Sequence, residues 1–212
     1  MAECHVIIQG RPNDHELGPT GTVGLIIDTT TVTLIDAGDP WNGLEIVQKL
    51  QELHVAPSTV THVVVTHGHL DHCANLGLFQ EASVIMDWDV GRKCGGKAKY
   101  SVIPGWPYRI SDNLELQNLS GHTASDTIAI VSGKIGNSKK IVVYSGDLIE
   151  DFQDLKNFDP LELLENPSDL LISHEYIFGA GDVIIPGHGA TFENPDRILY
   201  LFFGFWLRFL HL

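Results

Sequence analysis

The chain has 212 residues, enough for one sizeable core and short of two average domains of about 150 residues each. Its 13 Lys and Arg against 27 Asp and Glu leave a net charge of −14, which argues against a non-specific DNA-coating or other polyanion-covering role. The three cysteines, Cys4, Cys73 and Cys94, form no Cys-x-x-Cys pair, so neither a disulfide framework nor a thiolate zinc knuckle is expected, and a reducing compartment fits best.

The opening run MAECHVIIQGRPNDHELG lacks the basic and apolar stretches of a secretory signal, so a cytosolic location is expected. Apolar alternation and β-branched residues predict strands over Cys4 to Gln9, Val23 to Asp28 and Thr31 to Asp36. From Asn42 to Leu53, apolar Leu44, Ile46, Val47, Leu50 and Leu53 recur at helical spacing and stop before Pro57, which predicts an amphipathic helix. Strands are expected again at His62 to Thr66 and Ser83 to Met86. Gly95 to Lys99 and Ser132 to Lys140 read as surface loops. The second half repeats the theme: strands at Asn113 to Asn118, Asp126 to Ser132 and Lys140 to Ser145, helical patterning between Pro160 and Phe178, and a strand at Asp182 to Pro186. Two β-rich halves, each supplying helices, predict an α/β (α+β) fold of two packed sheets with helices outside, in one domain over residues 1–197. The apolar segment 198–212, ILYLFFGFWLRFLHL, has Arg208 as its one charge and is shorter than the roughly 20 residues of a membrane span. It is expected to pack as a helix on the core, with membrane-surface contact or an oligomer interface as alternatives.

Chemistry concentrates where the fourth predicted strand ends, in Thr66-His67-Gly68-His69-Leu70-Asp71-His72. On a continuing strand His72 would point away from His67, His69 and Asp71, and on a helix His67 and His69 would diverge. A turn loosened by Gly68 instead directs His67 and His69 at one ion and Asp71 and His72 at a neighbour. Each ion then needs more ligands. Gly121-His122-Thr123, Ser145-Gly146-Asp147 and Pro186-Gly187-His188-Gly189 each place one donor beyond a predicted strand and beside a glycine. Taken singly, each would be an ordinary turn.

In this order the motifs resemble the metallo-beta-lactamase superfamily, and the resemblance reaches to Gly189. It implies an αββα sandwich with two divalent cations, zinc by family habit, at one edge of the sheets. One ion would be held by His67, His69 and His122, the other by Asp71, His72 and His188, with Asp147 bridging them. Asp36, in Leu34-Ile35-Asp36-Ala37-Gly38, resembles the aspartate that braces the family's ligand loop. The implied chemistry is hydrolysis, because bound metal brings the pKa of water down to about 7; Asp71 and Asp147 are the catalytic carboxylates, Asp71 aiming the attacking water.

Only 40 residues separate Asp147 from His188 and 24 follow His188, too few for the inserted nuclease domain or the helical domain of glyoxalase II enzymes. The ligand motif continuing into Asn75-Leu76-Gly77-Leu78-Phe79, with Ser145-Gly146-Asp147-Leu148 and Asp182 to Gly189, resembles an insert-free animal branch of the superfamily. That branch implies an endoribonuclease acting on histone pre-mRNA 3′ ends, cytosolic and nuclear, as a homodimer; RNA is named as substrate on this resemblance alone. Two rival expectations remain, a thioester or ester hydrolase like glyoxalase II and a non-catalytic metal-binding scaffold. His5, His15, His54, His62, His174 and His211 fall outside the pattern and are expected to be solvated or at the core edge. Cys73 is expected to be a buried thiol rather than a ligand.

Overall fold

Short runs rich in Val and Ile alternate inward and outward, and in a computed structural model describing residues 1–152, 167–194 and 197 they form the strands of two facing layers. The first layer takes β1 (Ala2–Ile8), β2 (Val23–Ile27), β3 (Val32–Ile35), β4 (His62–Val65), β5 (Ser83–Met86), β6 (Asp89–Cys94) and β7 (Lys97–Val102), paired in that order. The second takes β8 (Tyr108–Arg109), β9 (Leu114–Leu119), β10 (Asp126–Ile135), β11 (Ser138–Gly146), β12 (Val183–Pro186) and β13 (Phe192–Glu193). The predicted two-sheet sandwich is therefore present as layers. The layers are joined, however: β1 pairs with β10 in parallel through Ala2, Glu3 and Cys4 opposite Gly133, Lys134 and Ile135, so hydrogen bonding runs through one 13-stranded path.

Period-two alternation divides the apolar residues among three cores. Ile26, Val64, Leu116, Val142 and Tyr144 face inward between the layers. Leu25, Leu34 and Val63 point outward and are covered by Ile46 and Leu50 of α1 (Gly43–Glu52), while Ile128, Val143 and Ile184 are covered by Leu170, Ile177 and Phe178 of α3 (Pro167–Ala180). Each such fully buried Leu or Ile contributes about 2 kcal/mol by leaving water. A single turn of helix, α2 (Leu70–Cys73), carries Asp71 and His72.

Several predicted boundaries shift. The expected loops Gly95 to Lys99 and Ser132 to Lys140 lie in hairpins, β6–β7 and β10–β11. Two-residue turns suffice in both: Gly95 and Gly96, at φ +59° and +75°, adopt the left-handed backbone that a tight hairpin turn requires, and Gly136-Asn137 reverses the other. The Pro160 to Phe178 helix is seen from Pro167 onward; its first part and the segment 198–212 lie outside the described residues. Among the described residues no helix is long and apolar enough to cross a membrane.

Candidate metal centre

Parallel pairing of β3, β4 and β5, and of β11 with β12, aligns their carboxyl ends, so the loops that follow share one edge. Asp36 follows β3, the His67 motif follows β4, His122 follows β9, Asp147 follows β11 and His188 follows β12. Buried Asp36, at φ +63°, braces the first loop: its carboxylate accepts Thr66 N at 2.7 Å, Thr66 Oγ1 at 2.8 Å and His72 Nδ1 at 2.8 Å. The expected bracing role of Asp36 is thus visible as three hydrogen bonds.

All seven predicted ligands meet at this edge, in two sets. His67, His69, His122 and Asp147 form the first, and Asp71, His72 and His188 the second, with donor atoms in each set within 4.8 Å of one another. In the first, His69 Nδ1 lies 2.9 Å from His67 Nε2 and 3.0 Å from His122 Nε2. That is near the edge of about 3.3 Å expected for tetrahedral ligation with bonds of about 2.0–2.1 Å. Asp147 reaches both sets: Oδ2 is 3.5 Å from His122 Nε2, 3.6 Å from His67 Nε2 and 3.1 Å from His188 Nε2, while Oδ1 is 3.1 Å from His72 Nε2.

The ring protons identify the free lone pairs. His188 Nδ1 donates to Arg11 O at 3.0 Å, an atom that can only accept, and His72 Nδ1 donates to the Asp36 carboxylate. When neutral, each ring therefore aims a bare Nε2 at a carboxylate oxygen 3.1 Å away. Buried His72 Nε2 and Asp147 Oδ1 also make no hydrogen bond despite that distance. Two lone pairs facing each other need a cation between them, a ring proton in the metal-free chain or a metal in its place, and the donor set suits a divalent metal.

Protonation answers to the same field. Burial pushes His188 down, but the hydrogen bond and charge of Asp147 outweigh it and raise the ring to about 9. His72 is likewise opposed by burial and held well above its usual value by Asp36 and Asp147. Burial raises Asp147, yet His188 and His72 hold it well below the usual carboxylate range. His67 is driven down to about 2 by burial and by His72, against the pull of Asp147, which keeps it a neutral donor.

Other residues at this edge were not legible as site residues. Asp126 accepts Thr123 N at 2.8 Å and Thr123 Oγ1 at 2.9 Å, fixing the His122 loop, and Thr127 N donates to Thr66 O at 2.7 Å to tie that loop to the His67 motif. The reciprocal Thr-x-x-Asp spacing is the signal that could have found it. A Cβ at Gly187 would fall on the Asp147 carboxylate, so the glycine beside His188 makes room for that side chain. Cys73 departs from expectation: it is partly exposed, its Sγ 3.2 Å from His69 O, and burial with nearby Asp36 raises its pKa. The centre opens into a cavity of about 340 Å³ walled by Trp41, 85% exposed, and Leu70, 64% exposed, with Asp39, Asp71, Asp147 and Glu150 as its acids and, among the described residues, no Lys or Arg in its lining.

These loops on a four-layer sandwich define a class, and the chain belongs to the metallo-beta-lactamase superfamily, whose family model matches residues 18–191. Members of that class are metal-dependent hydrolases. Among individual proteins, the chain is 38% identical to metallo-beta-lactamase domain-containing protein 1 of Xenopus laevis over 194 residues, covering 89% of this chain and 80% of that one. The mouse protein of the same name is 35% identical over 160 residues, 76% of this chain and 60% of the mouse protein, and the human one 31% identical over 189 residues, 87% and 70%. The chain thus spans from 60% to 80% of the length of these three relatives. A Thermotoga maritima crystal structure assigned as a metallo-beta-lactamase superposes with a TM-score of 0.67 at 17% identity, over 91% of this chain and 99% of that one.

Proposed function

We propose that this protein is a hydrolase with two divalent ions, zinc, held by His67, His69 and His122 on one side and by Asp71, His72 and His188 on the other. The observation that carries it is Asp147, whose two oxygens face both sets at 3.1 Å to 3.6 Å. When bound, the ions supply water ionised at neutral pH and charge neutralisation in the transition state. The chain's own residues do the rest. Asp71, 30% exposed on the cavity wall, accepts a hydrogen bond from the attacking water and aims it; Asp147 holds the two donor sets in register; Asp36 and Arg11 O keep the rings of His72 and His188 in the tautomer that frees Nε2.

The substrate we infer is RNA, cut at internal phosphodiesters during histone pre-mRNA 3′-end processing, in cytosol and nucleus and by a homodimer. What supports this is the resemblance of the ligand motif and of Asp182 to Gly189 to an insert-free animal branch with that activity. Among the described residues no Lys or Arg lines the cleft, so there the ions would face the phosphate. One observation favours a second reading, a thioester or ester hydrolase: the Trp41 and Leu70 wall suits an acyl chain. Metal-loaded wild type and Asp147→Ala, assayed on single-stranded RNA and on small acyl-thioesters, separate the two. RNA cleavage that Asp147→Ala abolishes supports the first; thioester turnover with intact RNA overturns it in favour of the second. Full metal loading without turnover of either would leave a metal-binding scaffold.

A further inference from the structure

The β6–β7 hairpin gathers four of the chain's 13 cations, Arg92, Lys93, Lys97 and Lys99, in eight consecutive positions of a molecule with net charge −14. β7 is exposed along its whole length and forms the edge of the first layer. Its register sets Arg92 directly opposite Lys99 and Cys94 opposite Lys97, so three cations share one face of a two-stranded ribbon. Like charges directly opposite cost stability in a sheet. Nothing nearby neutralises them: among the described residues none of the four has a carboxylate partner, and Lys93 Nζ reaches only Gln80 Oε1, at 3.3 Å. Such a concentration of unpaired charge at an edge is matched by a polyanion.

The ribbon also carries rings. Tyr100, 80% exposed, lies over Gly91, where a Cβ would come within 3.2 Å of the ring, and Trp88, 43% exposed, stands at the base, edge-on to Trp106. Pairing with Gly91 puts Tyr100 on the face of Lys93, opposite to that of Arg92, Lys97 and Lys99, so a flexible single strand crossing the β7 edge, with its unstacked bases, meets both the cations and the ring, whereas a duplex offers no free base faces. The base of the hairpin sits at the metal edge: Ser125 Oγ of the His122 loop donates to Asp87 Oδ1, and Met86 Cε lies within 3.5 Å of where a Gly68 Cβ would be. From Asp89 to Cys94 five steps of about 3.3 Å carry the cations roughly 17 Å outward, a span of two or three extended nucleotides.

We propose that the β6–β7 hairpin is an anchoring site for single-stranded polynucleotide outside the cleft, with Arg92, Lys97 and Lys99 on backbone phosphates on one face and, across the β7 edge, Tyr100 under a base beside Lys93. It supplies cations that the described residues of the cleft wall do not. That the anchored strand is also the substrate rests on the phosphodiesterase reading.

The test uses the full, metal-loaded chain and a fluorescein-labelled 12-nucleotide 2′-O-methyl RNA, with binding read by anisotropy over a salt series. The variant R92Q/K93Q/K97Q/K99Q, at exposed positions, should keep its far-UV spectrum, bind at least tenfold more weakly, and lower the log–log salt slope by about 0.7 for each phosphate that is no longer neutralised. Tyr100→Ala should weaken binding about fivefold without changing the slope. Equal affinity and slope for wild type and the quadruple variant overturn the proposal, and do so even if wild type cleaves RNA. A hairpin-dependent affinity with no RNA cleavage upholds it while removing the phosphodiesterase reading. Should the quadruple substitution split a dimer in sedimentation yet leave oligonucleotide binding intact, the hairpin is an interface between copies and the proposal is wrong.

Discussion

Asp36 illustrates how one side chain sets the chemistry of another. Asn tolerates the same left-handed backbone, so Asp36→Asn should fold, but its amide cannot present a carboxylate to His72 Nδ1 and also take both Thr66 donors. Metal affinity of the Asp71, His72 and His188 set should fall about 10- to 100-fold, which chelator competition measures against an unchanged far-UV spectrum; undiminished affinity would mean that Asp36 does not tune His72. Trp41 belongs at the same scale. It walls the cavity and is not one of the seven donors, so Trp41→Ala should raise KM several-fold on the true substrate and leave kcat nearly unchanged. A fall in kcat alone would mean that the indole acts in the transition state.

Among the elements, the turn before β9 is tied to the end of β2 by Asp28, which accepts Ser111 Oγ at 2.7 Å and Asn113 Nδ2 at 3.0 Å and 3.1 Å. Partial burial pushes the carboxyl up, but hydrogen bonds from Ser111, Asn113 and Thr29 outweigh it and bring it from 3.8 down to about 2. The folded chain then stays ionised where the unfolded chain takes up a proton. Stability from Asp28 is complete above pH 3.8 and is lost as pH falls from there through about 2. Asp28→Ala should be less stable at neutral pH, and the gap between its melting temperature and that of wild type should narrow across that window; a constant gap would contradict the assignment. Strands that bury one face or both, such as β2, β4 and β12, were legible because their apolar residues are dictated by the cores. β6 and β7 were not, since β7 is exposed on both faces and β6 buries little beyond Val90, which leaves no period-two apolar signal. The ligands were legible because clustered His and Asp beside Gly is rare outside metal sites, whereas Asp126 and Asn75, which brace loops through backbone atoms, look like any turn residue.

At the scale of the molecule, both layers feed one centre: His67, His69, Asp71 and His72 come from the first, His122, Asp147 and His188 from the second. Metal that binds only when the layers are packed stabilises the whole fold, by about 4 kcal/mol at a thousand times Kd. Removing it with EDTA should lower the melting temperature, and restoring zinc in rising concentration should raise it progressively; a melting temperature indifferent to metal would argue against the dinuclear centre. The same division of donors has a consequence for synthesis. His188 leaves the ribosome long after His72, so a growing polypeptide carries its first four donors well before the seventh, and whatever hydrolytic power a completed centre would confer is withheld until β12 has been made.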